Sequence, residues 1–354
     1  MPSIPSNGNT GKLSSYEAST QARNWRYSVD QLTRIRTSLN QAAVGVIRNT
    51  FESDEPGSSS NVSFLIADEE VLLVKLYITK ITQLCGLFRF PEEVEATAIT
   101  YLKRFYLKNT VMDWHPKNVM RVLTALFLAT KTTNNPISLE TYTAHIPKTS
   151  PNDVLDLEFL VAQSLGFEFA VWHAHRALWG IWLDIQNLPS VTEKLQPELY
   201  DTALGHIRAS RLTDAELIYT PSQIALAAFS LTLPDITSEW IASKTPSDSW
   251  RLTKSINEIK EMITSQGHPP NIESVREVDR RLKICKNPEK VVGSKAYLAR
   301  KRDEERIAEE KRNKKVAELQ KELDESDPFG TELGDKRRAL AGGLVDYDDD
   351  DDDD

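Results

Sequence analysis

Cysteine is almost absent from the sequence: Cys85 and Cys285 are the whole complement. They stand far apart within helical patterns, which gives neither a disulfide framework nor a zinc-ligand spacing, and both read as buried thiols. Histidine is scarce too, at six residues. The nearest approach to a ligand pair is His173 and His175, but residues two apart on a helix point to different faces, so structural or exposed imidazoles are expected. No phosphate-cradling glycine loop and no Ser/His/Asp order in a strand context occurs. With no catalytic pair, metal set or cofactor motif, the expectation is a chain that is not itself an enzyme and carries no cofactor. No uninterrupted apolar run approaches the roughly 20 residues of a membrane span, so no membrane partner is expected. The opening Met1-Pro-Ser-Ile-Pro-Ser lacks the basic-then-apolar pattern of a secretory signal, and an intracellular chain is expected.

Positive charge in excess is missing as well. The formal charge is −9, but Asp346 and Asp348 to Asp354 supply −8 of it, which leaves the body nearly neutral. A neutral body argues against a protein that binds nucleic acid directly by neutralising phosphates. At 354 residues there is room for two ordinary domains and tails.

The remaining sequence reads as helices joined by short polar turns. Residues 1–15 form a tail too rich in Ser, Pro and Asn to order itself, residues 16–52 an N-terminal segment and helix, and residues 53–67 a flexible loop. Ser28 opens the helix with Gln31 as its capping-box partner, and Leu32, Ile35, Leu39, Ala42 and Val46 share one apolar face. Five helices are expected next, over 69–87, 92–108, 116–130, 138–145 and 152–165. The paired carboxylates Glu69/Glu70 and Glu92/Glu93 read as first-turn charges favourable to the helix dipole. The third helix differs from the others. Val119, Met120, Val122, Leu123, Ala125, Leu126, Phe127, Leu128 and Ala129 leave it almost no polar face, so it should be the buried centre of the other four.

The unit is then written again. A shift of 105 residues aligns Pro116 with Pro221 and brings Thr97/Thr202, Ala98/Ala203, Leu102/Ile207, Leu107/Leu212, Trp114/Tyr219 and Val119/Ile224 into register. Two repeats are therefore expected, over 68–170 and 171–268, the second with a Thr220/Gln223 capping box around Pro221. A helix expected to flank the second repeat follows within 269–293, then a charged, solvated helix over 294–324 with Arg306, Glu310, Lys314 and Glu318 alternating in sign, and a disordered acidic tail over 325–354. Arg300-Lys301-Arg302 and Lys311 to Lys315 are either a nuclear address or ordinary charges of a solvated helix. The tail is either inert or a trap for a basic partner.

Three stretches, Tyr101 to Leu107, Phe127 to Lys131 and Leu157 to Phe167, resemble the cyclin box. Ser19 to Ser28, Arg104 to Pro116 and Asp214 to Ala228 are similar to the H type of transcriptional cyclins, and the likeness spans about residues 16 to 285. The resemblance implies an all-α fold of two tandem five-helix repeats with flanking terminal helices. It implies a nuclear regulatory subunit of the CDK-activating kinase, the kinase module of TFIIH that phosphorylates the RNA polymerase II tail. The implied partners are a cyclin-dependent kinase catalytic subunit, a RING-finger assembly factor and core TFIIH. Within the fold, a C-type cyclin of Mediator is the alternative; a factor of the TFIIB type would need a zinc ribbon and a basic surface.

Onto this sequence the resemblance carries two contact residues, Lys131 at the end of the third helix and Glu158 in the fifth, which would grip the kinase near its αC helix. By residue type alone they are a lysine well placed at a helix C-terminus and one helical glutamate among many. Thr132-Thr133-Asn134 stand where cyclins commonly place acids. Glu69 to Tyr77 lacks the Met-Arg-Ala-Ile-Leu stripe of cell-cycle cyclins, and Lys103 replaces their helix-two aspartate, so substrate docking of that kind is not expected. The second repeat has Thr232-Leu-Pro234 where the first has its lysine. Trp25 and Tyr27 would anchor the N-terminal helix, or simply close an open end of the core.

Overall fold

The computed structural model describes residues 14–116, 124–146, 149–191, 195–244 and 249–325, and among these there are helices and no strands. They fall in two units, residues 1–291 and 292–354.

In the first unit, α1 (Thr20–Asn24) and α2 (Val29–Asp54) precede the first repeat, each capped by a serine. Ser28 and Gln31 close the expected capping box on α2. The following loop folds around Glu52, whose carboxylate accepts the Gly57 N–H at 2.6 Å and the Ser59 N–H at 3.1 Å. The first repeat comprises α3 (Ala67–Phe88), α4 (Glu92–Phe105), α5 (Thr124–Thr132), α6 (Leu139–Ala144) and α7 (Pro151–Ser164). Ala125 to Ala129 of α5 are all buried, as a central helix requires. Val119, Met120, Val122 and Leu123, assigned to the same helix by sequence, lie outside the described residues.

The second repeat follows with α8 (Ala174–Ile185), α9 (Pro197–Ser210), the single turn α10 (Ala215–Ile218), α11 (Pro221–Thr232), α12 (Pro234–Lys244) and α13 (Ser249–Gln266). Its central helix is α11, with Ile224 to Phe229 buried behind the Thr220/Gln223 capping box. Each repeat has its own hydrophobic core. The flanking helix α14 (Ile272–Ile284) joins the first core, not the second, through Val275, Val278 and Leu282. This corrects the expectation that it borders the second repeat. Arg281 of α14 pairs with Glu69 and donates to the Phe64 carbonyl, which ties it to the start of α3.

Helix α3 has 22 residues and a mean hydropathy of 1.5 over its most apolar 18, long and apolar enough by length and composition to cross a membrane, although Lys75 and Lys80 interrupt its apolar run. Its apolar side is committed elsewhere, since Leu73, Val74, Ile78, Ile81 and Cys85 lie in the first core. Cys285 is buried in that core too, and both thiols are free.

The first-turn acids do more than complement helix dipoles. Glu92 pairs with Arg208 and Arg211 at 2.7 Å, Glu95 reaches Arg211 at 3.4 Å, and Glu93 takes Arg176 at 2.6 Å. Lys103, nearly buried, pairs with Glu216 at 2.7 Å and donates to the Thr213 carbonyl at 2.6 Å. Each of these contacts crosses from α4 to the second repeat, so α4 ties the two repeats together. Glu70 is an internal ligand of the first repeat and not a surface charge. It accepts from Asn40, Thr110 and the Val111 N–H.

His173 and His175 depart from the expectation of separate faces. His173 precedes α8 in extended backbone, which allows the two rings to stack with centroids 5.2 Å apart. The His173 Nε2 contacts the Thr97 hydroxyl at 2.8 Å. Burial lowers both pKa values, that of His175 to about 4. An imidazole depressed in the folded state gives stability that is full above its unfolded value near 6.5 and is lost as pH falls toward the folded value. Urea denaturation should therefore show stability declining between pH 6.5 and 5 by about 1 kcal/mol per pH unit for each of the two imidazoles. His175→Gln should reduce that slope by about half, leaving the share of His173; an unchanged slope would contradict the assignment.

The second unit contains α15 (Lys295–Glu325), whose side chains from 301 to 321 are all exposed. Arg306 pairs with Glu310 at 2.9 Å and Arg300 with Glu304 at 3.0 Å, the i, i+4 support that a helix without a core needs.

Candidate functional site

Helix α5 ends in a closure that fixes where Lys131 points. Asn134 adopts the left-handed conformation at φ 58°, and the Asn135 N–H donates back to the Thr130 carbonyl at 2.8 Å. The Thr132 and Thr133 hydroxyls turn inward to the carbonyls of Leu128 and Ala129, and Thr132 also meets the Tyr101 hydroxyl at 2.9 Å. The three residues that replace acids thus serve the helix end itself. Lys131, in the last turn, donates to Glu158 Oε1 at 2.6 Å, and its ammonium lies 4.9 Å from the centre of the Phe127 ring. The side chains are 46% and 21% exposed, so the pair is held in place yet open to solvent.

Glu158 stands on α7, which starts at a Ser150/Asp153 capping box with Pro151 in the first turn. Leu155, one turn before Glu158, and Phe159, four residues on from Leu155, form an exposed apolar stripe along its flank, and Phe159 is 67% exposed. The helix closes through Gly166, at φ 62°, and then through Phe167, at φ 58°. A left-handed phenylalanine is strained by roughly 1–2 kcal/mol, and here the conformation leaves its ring 55% exposed with its centroid 6.1 Å from that of Phe159. The result is an ion pair beside three uncovered apolar side chains. The family resemblance marks Lys131 and Glu158 but not Leu155, Phe159 or Phe167, whose only signal in the sequence is large apolar residues on the outer side of α7 and an aromatic just past a helix-ending glycine.

Trp25 and Tyr27 lie elsewhere. Trp25 is buried with Leu32, Leu107 and Leu217, its Nε1–H donates to Glu168 Oε2 at 2.5 Å, and the buried Arg104 guanidinium lies 4.8 Å from its ring centre. Tyr27 is only partly buried; its N–H donates to the Leu217 carbonyl at 2.8 Å and its hydroxyl to the Asn24 carbonyl. Gln21, missed in the sequence, completes this clasp. Its side-chain amide accepts from the Trp172 N–H at 2.6 Å and donates to the Trp172 carbonyl at 3.3 Å, as a neighbouring strand would. The N-terminal segment therefore binds the linker between the repeats.

A cavity of about 210 Å³ lies among α2, α3, α4 and the Leu212 to Asp214 loop. Most of its charges are engaged in structural bonds: Arg36 grips Asp214 through two bonds of 2.6 and 2.7 Å, and Lys75 donates to the Gln266 carbonyl. No group of three or more His, Cys, Asp or Glu side chains suited to a metal occurs among the described residues. The features with chemical consequence are a docking face on the first repeat and a clasp behind it.

Two units of five principal helices, the second with the extra single turn α10, each around a buried central helix and joined by a clasped linker, define a tandem cyclin fold. The family models agree: the cyclin N-terminal domain matches residues 65–170 and the cyclin C-terminal domain residues 173–265. The chain belongs to the cyclin family, whose members are regulatory, non-catalytic subunits of protein kinases. It is similar to a putative cyclin-H of Dictyostelium discoideum, with 34% identity over 224 residues, 61% of this chain and 75% of the relative. Two solved structures are similar as well. One is of the CAK complex of Chaetomium thermophilum bound to ATP-gamma-S, with a TM-score of 0.71 and 27% identity over 82% of this chain and 94% of that one. The other is of the yeast TFIIK (Kin28/Ccl1/Tfb3) complex, with a TM-score of 0.59 and 32% identity over 70% of this chain and 100% of that one.

Proposed function

We propose that this chain is the H-type cyclin subunit that binds and activates a cyclin-dependent serine/threonine kinase, the CDK-activating kinase of the TFIIH module. The observation that carries the reading is the first-repeat face, where Lys131 and Glu158 form an exposed ion pair beside Leu155, Phe159 and Phe167. A charged pair amid apolar surface is the composition of an interface core, in which aromatic anchors supply affinity and the charges fix register. The similar structures are of assemblies named for a CDK-activating kinase and for TFIIK. Bound on this face, the kinase αC helix is held inward, which lets the Lys–Glu ion pair of the kinase form and its activation segment order. The cyclin supplies no reacting group; it binds the active conformation more tightly and so shifts the population. A RING-finger assembly factor and core TFIIH complete the module in this reading, and the site of action is the nucleus.

The test is phosphoryl transfer to a peptide of the RNA polymerase II tail. The kinase with this chain should be active, the chain alone inactive and the kinase alone slow. A kinase rate unaffected by the chain would refute the reading.

A further inference from the structure

Both halves of the docking face end in backbone at the limits of their helices. On one side α5 closes through Thr132 to Asn135, just past Lys131; on the other, α7 gives way at Gly166 and Phe167 to an irregular run through Phe169. Helices α6 and α7 separate the two stretches along the chain. One buried side chain of α4 bonds to both. The Tyr101 hydroxyl donates to the Phe169 carbonyl at 2.7 Å and meets the Thr132 hydroxyl at 2.9 Å. A carbonyl can only accept, so the phenolic proton is committed to Phe169. The Thr132 proton, shared with the Leu128 carbonyl, completes the chain toward the phenol. Burial pushes the Tyr101 phenol up to about 12, which keeps that proton in place at neutral pH. The rings carry the connection outward. Tyr101 meets Phe169 edge-on at 6.2 Å, Phe169 meets Phe167 edge-on at 6.4 Å, and Phe167 leans on Phe159 at 6.1 Å. Arg104, one turn along α4, donates to the Glu168 carbonyl at 3.2 Å, so two successive carbonyls after Phe167 are held from the same helix. A left-handed phenylalanine persists only where its surroundings over-determine it, and these bonds do so.

We infer that Tyr101 is a positioning residue for kinase docking: its hydroxyl holds the α5 end that carries Lys131 and the segment that carries Phe167 in the relative places at which one partner surface meets both. The inference rests on the cyclin-subunit reading above. Tyr101 is fully buried and touches no partner itself, so its effect passes through Thr132 and Phe169. Without the hydroxyl, the Phe169 carbonyl loses its donor and Phe167 is free to relax out of the left-handed conformation, which turns its ring away from Phe159. The kinase must then reorder the face as it binds, and affinity falls. Once occupied, the face has its wild-type form, and the rate of the assembled pair is unchanged.

The test is Tyr101→Phe in the full chain, titrated against its kinase with phosphoryl transfer to the polymerase-tail peptide as the readout. The matched control is Tyr106→Phe, which removes the same atom just past the end of α4. The Tyr106 hydroxyl is also buried but donates to the Trp114 carbonyl at 2.8 Å, not to either stretch of the face. Tyr101→Phe should raise the cyclin concentration for half-maximal activation roughly 10-fold and leave the maximal rate unchanged. In the free variant, amide hydrogen exchange should quicken at Phe167 and Asn135, whose N–H groups bond to the Ala162 and Thr130 carbonyls. Tyr106→Phe should titrate as the wild type does, whatever it loses in melting temperature. Thr132→Val severs only the α5 arm and should shift the midpoint in the same direction by less; it carries the test if Tyr101→Phe does not fold, and an unchanged midpoint there would then overturn the inference. So would an unchanged midpoint for Tyr101→Phe, or equal shifts for the two tyrosine variants, with the subunit reading left standing. Failure of the wild-type chain to activate the kinase would instead refute that reading.

Discussion

Replacing Lys131 and Glu158 together with alanine should lower activation of the kinase by roughly 100-fold while leaving the fold of the free chain intact. The contrast follows from where the pair sits. In the free protein it is exposed, and an exposed ion pair contributes at most about 1 kcal/mol to stability. In a complex the same charges are desolvated against groups of the kinase, and removing one side of such a buried, hydrogen-bonded interface pair costs about 2–5 kcal/mol. A melting temperature within a few degrees of wild type, combined with a kinase titration that requires far more cyclin, is the expected pair of results. Unchanged binding and activation would show that the face is ornamental. Phe159→Ala should act in the same direction, since its ring is mostly exposed and contributes little to the core.

The second large effect concerns stability and arises from Trp25→Ala. Its indole fills the cluster with Leu32, Leu107 and Leu217, donates to Glu168 and covers the Arg104 guanidinium. Truncation opens a cavity at the junction of the N-terminal segment and both repeats, and substitutions of that size cost roughly 3–5 kcal/mol. Chemical denaturation should register that loss, and proteolysis should find the segment before Ser28 newly accessible. Tyr27→Ala should be milder, because the bond that positions Tyr27 on Leu217 runs through its backbone N–H, which survives the substitution. If Trp25→Ala proved neutral, the clasp would be a passive lid.

The helices were legible in the sequence because their signals are local. Ser28, Ser138, Ser150 and Thr220 all cap helices, and the all-apolar run at Ile224 to Phe229 marks a central helix. What the sequence did not show depends on partners distant in the chain. Glu92 and Glu93 look the same whether they complement a dipole or clamp Arg208 and Arg176, more than 80 residues away. The stripe of α14 reveals one apolar face but not which core it joins. Helical spacing does not govern His173 and His175, because His173 precedes the helix in extended backbone. Lys131 and Glu158 were identified by resemblance; their bond of 2.6 Å could not be, since it needs the closure at Asn134 to aim the lysine. The apolar half of the face was missed because outward aromatics and core aromatics are the same letters.

Hydroxyl-radical footprinting of the aromatic side chains, in the free chain and in the pair with its kinase, tests the docking face most directly. Phe159 and Phe167 should lose most of their oxidation when the kinase binds, while Trp179, on the second repeat, stays as reactive as in the free chain. Undiminished oxidation of Phe159 and Phe167 in a stable pair, with protection confined to the second repeat, would contradict a first-repeat grip.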